Sequence, residues 1–586
     1  MCKWLVFVLV GGVVLGQGPC GFHWSNPTPH GYGLYGVASN DDVLVSVGDF
    51  GFIQVSGDDG ATWTQVNSHT TEHLKDVAWG PFGFVAVGLN NTVLVSDMGT
   101  VWTPKTAMGQ FYGVTWADTG YYIVGTQTFF SADGQSWSLV NTGFNNVFTG
   151  QDVVHHNGVT AIAMSSGRIL STNNGTTWNI SAMSLFWAFT SITYGNGLWI
   201  AQNYQQNATS TNGLDWMLGP VNNFNTMQDL IWTGTQFVSV GPSGQYASSP
   251  NGTTWTKNSV FPYPRFEAIT LHQGEMIAVG RGAQVYHSLD ASQWDALTQG
   301  VYQDWAGTVW HNGNFYVVGF QNTILSSPDG ETWTQQYQQV NKGLFAIASN
   351  GVRMVAVGTA GGIVTSTDGV QWDTPVSNTS GFLTAVTFAQ GLWVVVGQQG
   401  VLLTSPDGLT WTALPPPTSG NFSGIAYAFG AWWACGGNGL WMTGPSPDAL
   451  SAATGPVPFA YYNGIQSLNN RLVTYGDSFV SHTTDGAMWA TTGPLGPPLK
   501  GLSFDGTRYW TCGFNGSIGW SNDALDWHFL DQISVETLTC MTASPDRVLV
   551  AGDYALIQTQ TTLGYLFATW PQSTVLDLVQ YQICNP

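Results

Sequence analysis

The stretch SSPDGETWT, Ser326 to Thr334, sets a hydroxyl, a carboxylate and an indole within eight residues. A carboxylate beside a hydroxyl can act as a general acid or base if it faces a cleft. The chain repeats the pattern as TSTDGVQWD from Thr365, TSPDGLTWT from Thr404, SSPNGTTWT from Ser248 and LSTNNGTTWN from Leu170. Asn251 stands where other copies carry Asp, and an amide cannot exchange a proton as an acid does. The chemistry is therefore that of a turn. Asp or Asn accepts from nearby amides, Gly supplies positive φ, and Trp packs into a core.

The elements that carry these turns follow from their spacing. The motif tryptophans run from Trp63 through Trp102, Trp137, Trp178, Trp216, Trp255, Trp294, Trp333, Trp372, Trp411, Trp489 and Trp527, mostly 39 residues apart. Trp24 falls 39 before Trp63, and worn copies lie near TGPSPDALSA and TQTTLGYLF. A fixed period of this size signifies a solenoid or propeller. The unit Leu383–Leu414 splits into four short apolar runs, AVTF, LWVVVG, VLLTS and WTAL, separated by Gly-rich turns. Four antiparallel strands per repeat make a β-propeller blade. The expected fold is all-β with about fourteen blades. Residues 1–18 read as a signal peptide, 19–297 as a first seven-bladed ring and 298–586 as a second; one large ring is the alternative. Trp24 matches a fourth strand with no partners before it, suited to closing a ring and removing sheet edges.

A second acidic set appears in that register. Twelve residues before the Gly that ends the second strand lies the head of the inner strand, at the channel. The first seven units place Gly36, Asp76, Gly113, Asp152, Ser191, Asp229 and, with a one-residue shift, Glu267 there; the other seven place Gly307, Ala346, Ala385, Gly424, Gly464, Gly501 and Cys540. Asp76, Asp152, Asp229 and Glu267 should then converge on one channel. They are the candidate catalytic acids if the chain is an enzyme. Their oxygen-only chemistry suits a weak Ca²⁺ site over zinc or copper; no other cofactor is expected. The alternative is four acids bonded to backbone amides.

Composition narrows the setting. Only 8% of the 586 residues are charged, net charge is −21, and aromatics reach 13%. Disorder is excluded by the aromatics, and no basic cluster exists to engage nucleic acid. One lysine, an apolar run from Trp4 to Leu15 and small residues thereafter read as a cleaved export signal. That run is too short to span a bilayer. Sequons at Asn90, Asn174, Asn179, Asn207, Asn251, Asn378, Asn421 and Asn515 agree with a secreted, extracellular glycoprotein. Cys20 and Cys584 lie at the two ends, where a disulfide would clasp a closed ring; Cys435, Cys512 and Cys540 read as buried thiols.

The repeated turn resembles the Asp-box, or BNR, repeat, Ser/Thr-x-Asp-x-Gly-x-x-Trp. SGDDGATW from Ser56 matches that form, and most copies are one residue tighter. The resemblance covers nearly the whole mature chain. It implies a propeller of the kind found in sialidases, tandem seven-bladed xyloglucanases, sortilin-type receptors and photosystem assembly factors. Sialidase activity would need three substrate-binding arginines and an Arg-Ile-Pro motif, for which YPRF at 263–266 is a poor match. The xyloglucanase-like architecture implies glycoside hydrolysis as the alternative function. The leading expectation is a non-catalytic binding or structural protein for glycans, extracellular proteins or copies of itself. Its candidate contacts are aromatics on the longer loops: Tyr112, Trp187, Tyr263, Trp305 and Tyr462.

Overall fold

The computed structural model describes residues 23–24 and 32–561, apart from 41, 182–186, 204, 222–226, 261–263, 298–303, 321–322, 331–332, 340–341, 531–536, 546 and 554–556. Residues 1–18, read from the sequence as an export signal, and Cys20, Cys584 and Tyr263 lie outside the described residues. Among the described residues fourteen antiparallel sheets follow one another, thirteen of four strands and one of three. They form two compact units. One is Gly31–Tyr302; the other is Gln303–Pro586 together with Met1–His30.

In the Gly31–Tyr302 unit the inner strands are Leu34–Ser39, Leu74–Gly80, Phe111–Trp116, Gly150–His156, Phe189–Gly195, Asp229–Trp232 and Phe266–His272. Each packs beside the next, and the last packs beside the first. The unit is a closed seven-bladed ring. The other unit closes in the same way, from Trp305–His311 through Leu344–Ser349, Leu383–Ala389, Phe422–Ala428, Tyr462–Leu468 and Leu499–Phe504 to Leu538–Ala543. Its last blade borrows its outer strand from the start of the chain. His23 and Trp24 pair antiparallel with Thr559 and Gln558. His23 and Trp24, grouped by sequence with the first ring, therefore go with the second unit.

Burial falls from the middle of each blade outward. The second strands Leu44–Gly48 and Gly83–Gly88 are buried at every residue, because neighbouring blades cover both faces. Such strands read as continuous apolar runs. The outermost strand Thr256–Ser259 is exposed at every residue. A β-bulge recurs at the start of the inner strand, as between Leu34 and Gly36 and between Trp305 and Gly307. The first bulge residue enters the interblade core, and the strand then turns its next paired residue toward the channel.

The box turns are hydrogen-bonded scaffolds. Ser366 Oγ accepts from Gly369 N at 2.8 Å, Asp368 Oδ1 accepts from Val370 N and Gln371 N at 2.9 and 2.8 Å, and Trp372 Nε1 donates to Gly369 O at 3.1 Å. The Asn251 turn repeats every bond, with Ser249, Thr253, Thr254 and Trp255 in the same roles. These amide donors hold the Asp368 carboxyl below the ordinary range, and Thr410 N and Leu409 N bring that of Asp407 down to about 2.

One blade lacks its fourth strand for a stated chemical reason. Outside Ile363–Ser366 the pairing stops after a single bridge, Thr365 to Asp373. In the next blade Leu414 N donates to Leu402 O at 2.9 Å. Pro375 occupies the position of Leu414, and proline has no N–H to give.

Trp102 is 2% exposed within a core of Val47, Ile53, Leu74 and Phe84. Trp102→Ala should cost about 3–5 kcal/mol in denaturant unfolding. Asp368→Asn should leave the unfolding midpoint unchanged, since Asn251 already fills the same role.

Candidate functional site

The heads of the inner strands in the first unit alternate. Gly36, Gly113, Ser191 and Ala268 are small; Asp76, Asp152 and Asp229 fall between them, each opposite the second strand in the same register. An inner strand is a sheet edge, so alternate amides point into the channel without a strand partner. The aspartates fill that need twice over. Asp76 Oδ1 accepts from Val77 N and Oδ2 from Val114 N of the next blade, both at 2.8 Å. Asp152 accepts from Val153 N at 2.6 Å and from Ile192 N of the next blade at 2.8 Å. Asp229 accepts from Leu230 N at 2.7 Å, Ser191 Oγ at 2.9 Å and Ile269 N of the next blade at 2.9 Å. A small head on the neighbouring blade lets each carboxylate cross.

The three acids are half-buried and feel one another. Burial pushes Asp76 well up, with Asp152 and then Asp229 adding to the effect. Burial and then Asp229 push Asp152 up to about 7. Burial also raises Asp229. The amide bonds oppose these shifts without cancelling them.

Glu267 does not join this set. It is the bulge residue one position earlier, and Ala268 takes the channel position opposite Val279. Glu267 Oε1 instead accepts from Arg265 Nε at 2.6 Å and Arg281 Nε at 3.0 Å. Close by, Lys75 Nζ lies 3.8 Å over the Tyr35 ring. Among the described residues no group of three or more His, Cys, Asp or Glu side chains is arranged to hold a metal ion.

The second unit latches its blades with neutral donors. Thr384 Oγ1 donates to Phe422 O at 2.7 Å, Ser423 Oγ to Tyr462 O at 2.6 Å and Asn463 Nδ2 to Leu499 O at 2.9 Å, each on the next blade. Thr539 Oγ1 donates to Trp305 O and joins the last blade to the first. Cys435, Cys512 and Cys540 are free and buried. Burial raises all three thiols, Cys435 and Cys540 to about 12, so they are poor nucleophiles.

The aromatic candidates separate by strand parity. Trp305 and Tyr462 are 0% and 1% exposed. Both are first residues of inner strands and enter the interblade core, so neither can present its ring to a ligand. Tyr112 is half-buried at the channel mouth of the first unit, and Trp187 is exposed. Other rings face solvent on the second unit. Phe320, Phe382, Tyr461, Phe459 and Phe514 are exposed. Phe345 links two of them, its centroid 6.0 Å from that of Phe320 and 6.3 Å from that of Phe382. All six lie on the end of the ring that carries the strand heads and the second-to-third turns. FAYYNG contained the signal: Phe459 and Tyr461 point outward, Tyr462 inward.

The sequons also separate. Asn90, Asn174, Asn179, Asn251, Asn378, Asn421 and Asn515 are exposed. Asn207 is 2% exposed, paired within the sheet opposite Gln202. A glycan there is incompatible with this fold.

No family model matches the chain, and no curated protein matches it. Solved structures do. An ancestral GH74 enzyme is 12% identical with a TM-score of 0.59, over 95% of this chain and 99% of that one. PorZ, an essential bacterial surface component of the type-IX secretion system of Porphyromonas gingivalis, is 10% identical with a TM-score of 0.56, over 93% of this chain and 88% of that one. Likeness at these identities shows the multi-bladed propeller fold.

The channel acids predict a pH dependence. A carboxyl raised in the folded state adds stability that is complete below its unfolded pKa and lost as pH rises through the folded value. For Asp152 that window runs from about 4 to about 7. Asp553, raised to about 6 by burial and Asp304, adds to the slope from the second unit. The melting temperature should fall across this window, and Asp152→Asn should flatten the fall. A variant slope equal to the wild type's would show that Asp152 does not titrate there.

Proposed function

We propose that this chain is an extracellular, non-catalytic binding protein and that the second unit presents a glycan-binding face. The observation that carries the reading is the set of exposed rings at the strand-head end of that unit. Solvent-facing phenylalanines are costly unless they meet a partner. Phe320, Phe345 and Phe382 form one continuous run of edge-to-face rings, and flat apolar rings suit the C–H faces of sugars. Amides supply the polar half of such a site. Asn421 is exposed near this run, its Oδ1 holding Gln399 N at 2.9 Å. Asn463 lies beside Lys500, whose Nζ donates to its Oδ1 at 3.2 Å. Lys500 borders these rings, its Nζ 5.1 Å from the Phe514 ring centroid, and the amides beside them suit a hydroxyl-rich polysaccharide.

Binding is favoured over hydrolysis because the candidate acids already have structural work. Asp76, Asp152 and Asp229 each hold two backbone amides, and Glu267 holds two arginines. An extracellular setting is in keeping with the apolar leader and with neighbours that include a surface component. The GH74 neighbour places glycoside hydrolysis among the outcomes to be measured.

Binding to a panel of neutral plant and algal polysaccharides, with reducing-end release measured in parallel, tests this reading. Phe345→Ala with Phe382→Ala should weaken binding by about 2 kcal/mol, roughly thirtyfold in Kd, with the melting temperature little changed. Polysaccharide cleavage abolished by Asp152→Asn would replace the binding reading with a catalytic one.

A further inference from the structure

The blade interrupted by Pro375 leaves a gap. A cavity of about 800 Å³ opens beside it, lined by Tyr337, Lys342, Gly361, Ile363, Val376 and Asn378. Its floor includes the outer edge of the strand at Ile363, to which Pro375 cannot donate. Val376 is 73% exposed beside it. A blade edge and an apolar side chain are thus left open where other blades are covered by a fourth strand.

Asn378 stands in this gap as the acceptor of the sequon Asn378-Thr379-Ser380. It is exposed, at φ 58°, and among the described residues its side chain makes no hydrogen bond. Four other sequon asparagines have hydrogen-bonded side chains. Asn90 Nδ2 donates to Glu72 Oε2 at 2.6 Å. Asn174 and Asn251 hold box turns, and Asn421 holds Gln399 N. Asn179 lies in a paired outer strand, and Asn207 is buried. Asn515 is exposed on a tight turn after Phe514.

We infer that Asn378 carries an N-linked glycan and that the innermost sugar seats in the gap left by the missing strand. The inference rests on the extracellular reading above. The donor is an oligosaccharide on a polyprenyl diphosphate. The Asn378 Nδ2–C1 bond forms as the C1–O bond to the diphosphate breaks; Nδ2 gives up one proton and polyprenyl diphosphate leaves. The sugar's hydroxyls and N-acetyl group can then meet the backbone edge at Ile363, while its apolar face covers Val376 and the Tyr337 ring.

The test is secretion of the full chain from a eukaryotic host, with site-by-site glycopeptide mapping and hydrogen exchange before and after enzymatic removal of glycans. Asn378 should be occupied and Asn207 should not. Amides in 361–366 should exchange more slowly with the glycan present. Asn378→Gln should lose one glycan's mass and restore fast exchange there. An unmodified Asn378 beside occupied sequons elsewhere overturns this inference alone, as does exchange at 361–366 that ignores the glycan. Secretion with every sequon bare overturns it together with the glycoprotein reading.

Discussion

At the axis of each ring, backbone meets backbone. A Cβ at Gly36 would lie 2.7 Å from the Cα of Asp76 on the next blade, and one at Gly307 would lie 3.0 Å from the Cα of Ala346. This approach fixes what can stand at a strand head. It also places a row of edge amides and carbonyls where no further strand can enter. Side chains satisfy several of those groups, since a backbone group cut off from any partner is costly. Blade packing, ring closure and the character of each channel follow from how that is done.

The two units weight acceptors and donors differently, although Thr190 Oγ1 of the first also donates to Met227 O of the next blade at 3.1 Å. The first uses acceptors: three carboxylates reach across small neighbours to amides of the following blade. Seven is odd, so an alternation of small and acidic heads cannot close on itself, and Ala268 meets Gly36 at the seam. At the far end of the same strands His272 contacts Ser39 Oγ at 2.5 Å and Asp59 Oδ1 at 3.0 Å, as His311 contacts Ser349 Oγ in the second unit. The second unit uses donors: hydroxyls and an amide reach carbonyls, with no net charge. A ring latched through its channel needs little from its outer loops.

Much of this was legible as period and much less as direction. The box turns, the fourteen sheets and the acids at Asp76, Asp152 and Asp229 follow from spacing, because each repeat must return the chain to the same register. Glu267 went astray through the one-residue shift: twelve residues before Gly280 stands Ala268, which does take the channel position, and Glu267 is the bulge residue before it. Trp305 and Tyr462 were misplaced by the same parity: a strand of period two buries one aromatic and exposes its neighbour. Pro375 was visible in the sequence, but its effect needs the strand partner it fails to reach. Asn207 looked like any other sequon because burial is a property of the blade and not of the triplet.

The outer strand at His23–Trp24 sets an order of events during synthesis. It leaves the ribosome before any residue of either ring, yet its partner, Ile557–Thr561, comes more than five hundred residues later. The first ring can form entirely while the second is still being made. Throughout that time the early strand must wait, and the last blade has only three strands to offer until it arrives. The entropy of closing so long a loop grows only with the logarithm of its length, and a folded first ring shortens the effective path further. The second ring is therefore finished by a strand made before the first ring, so a chain started downstream of Trp24 should still fold its first ring and leave its second with an open seam.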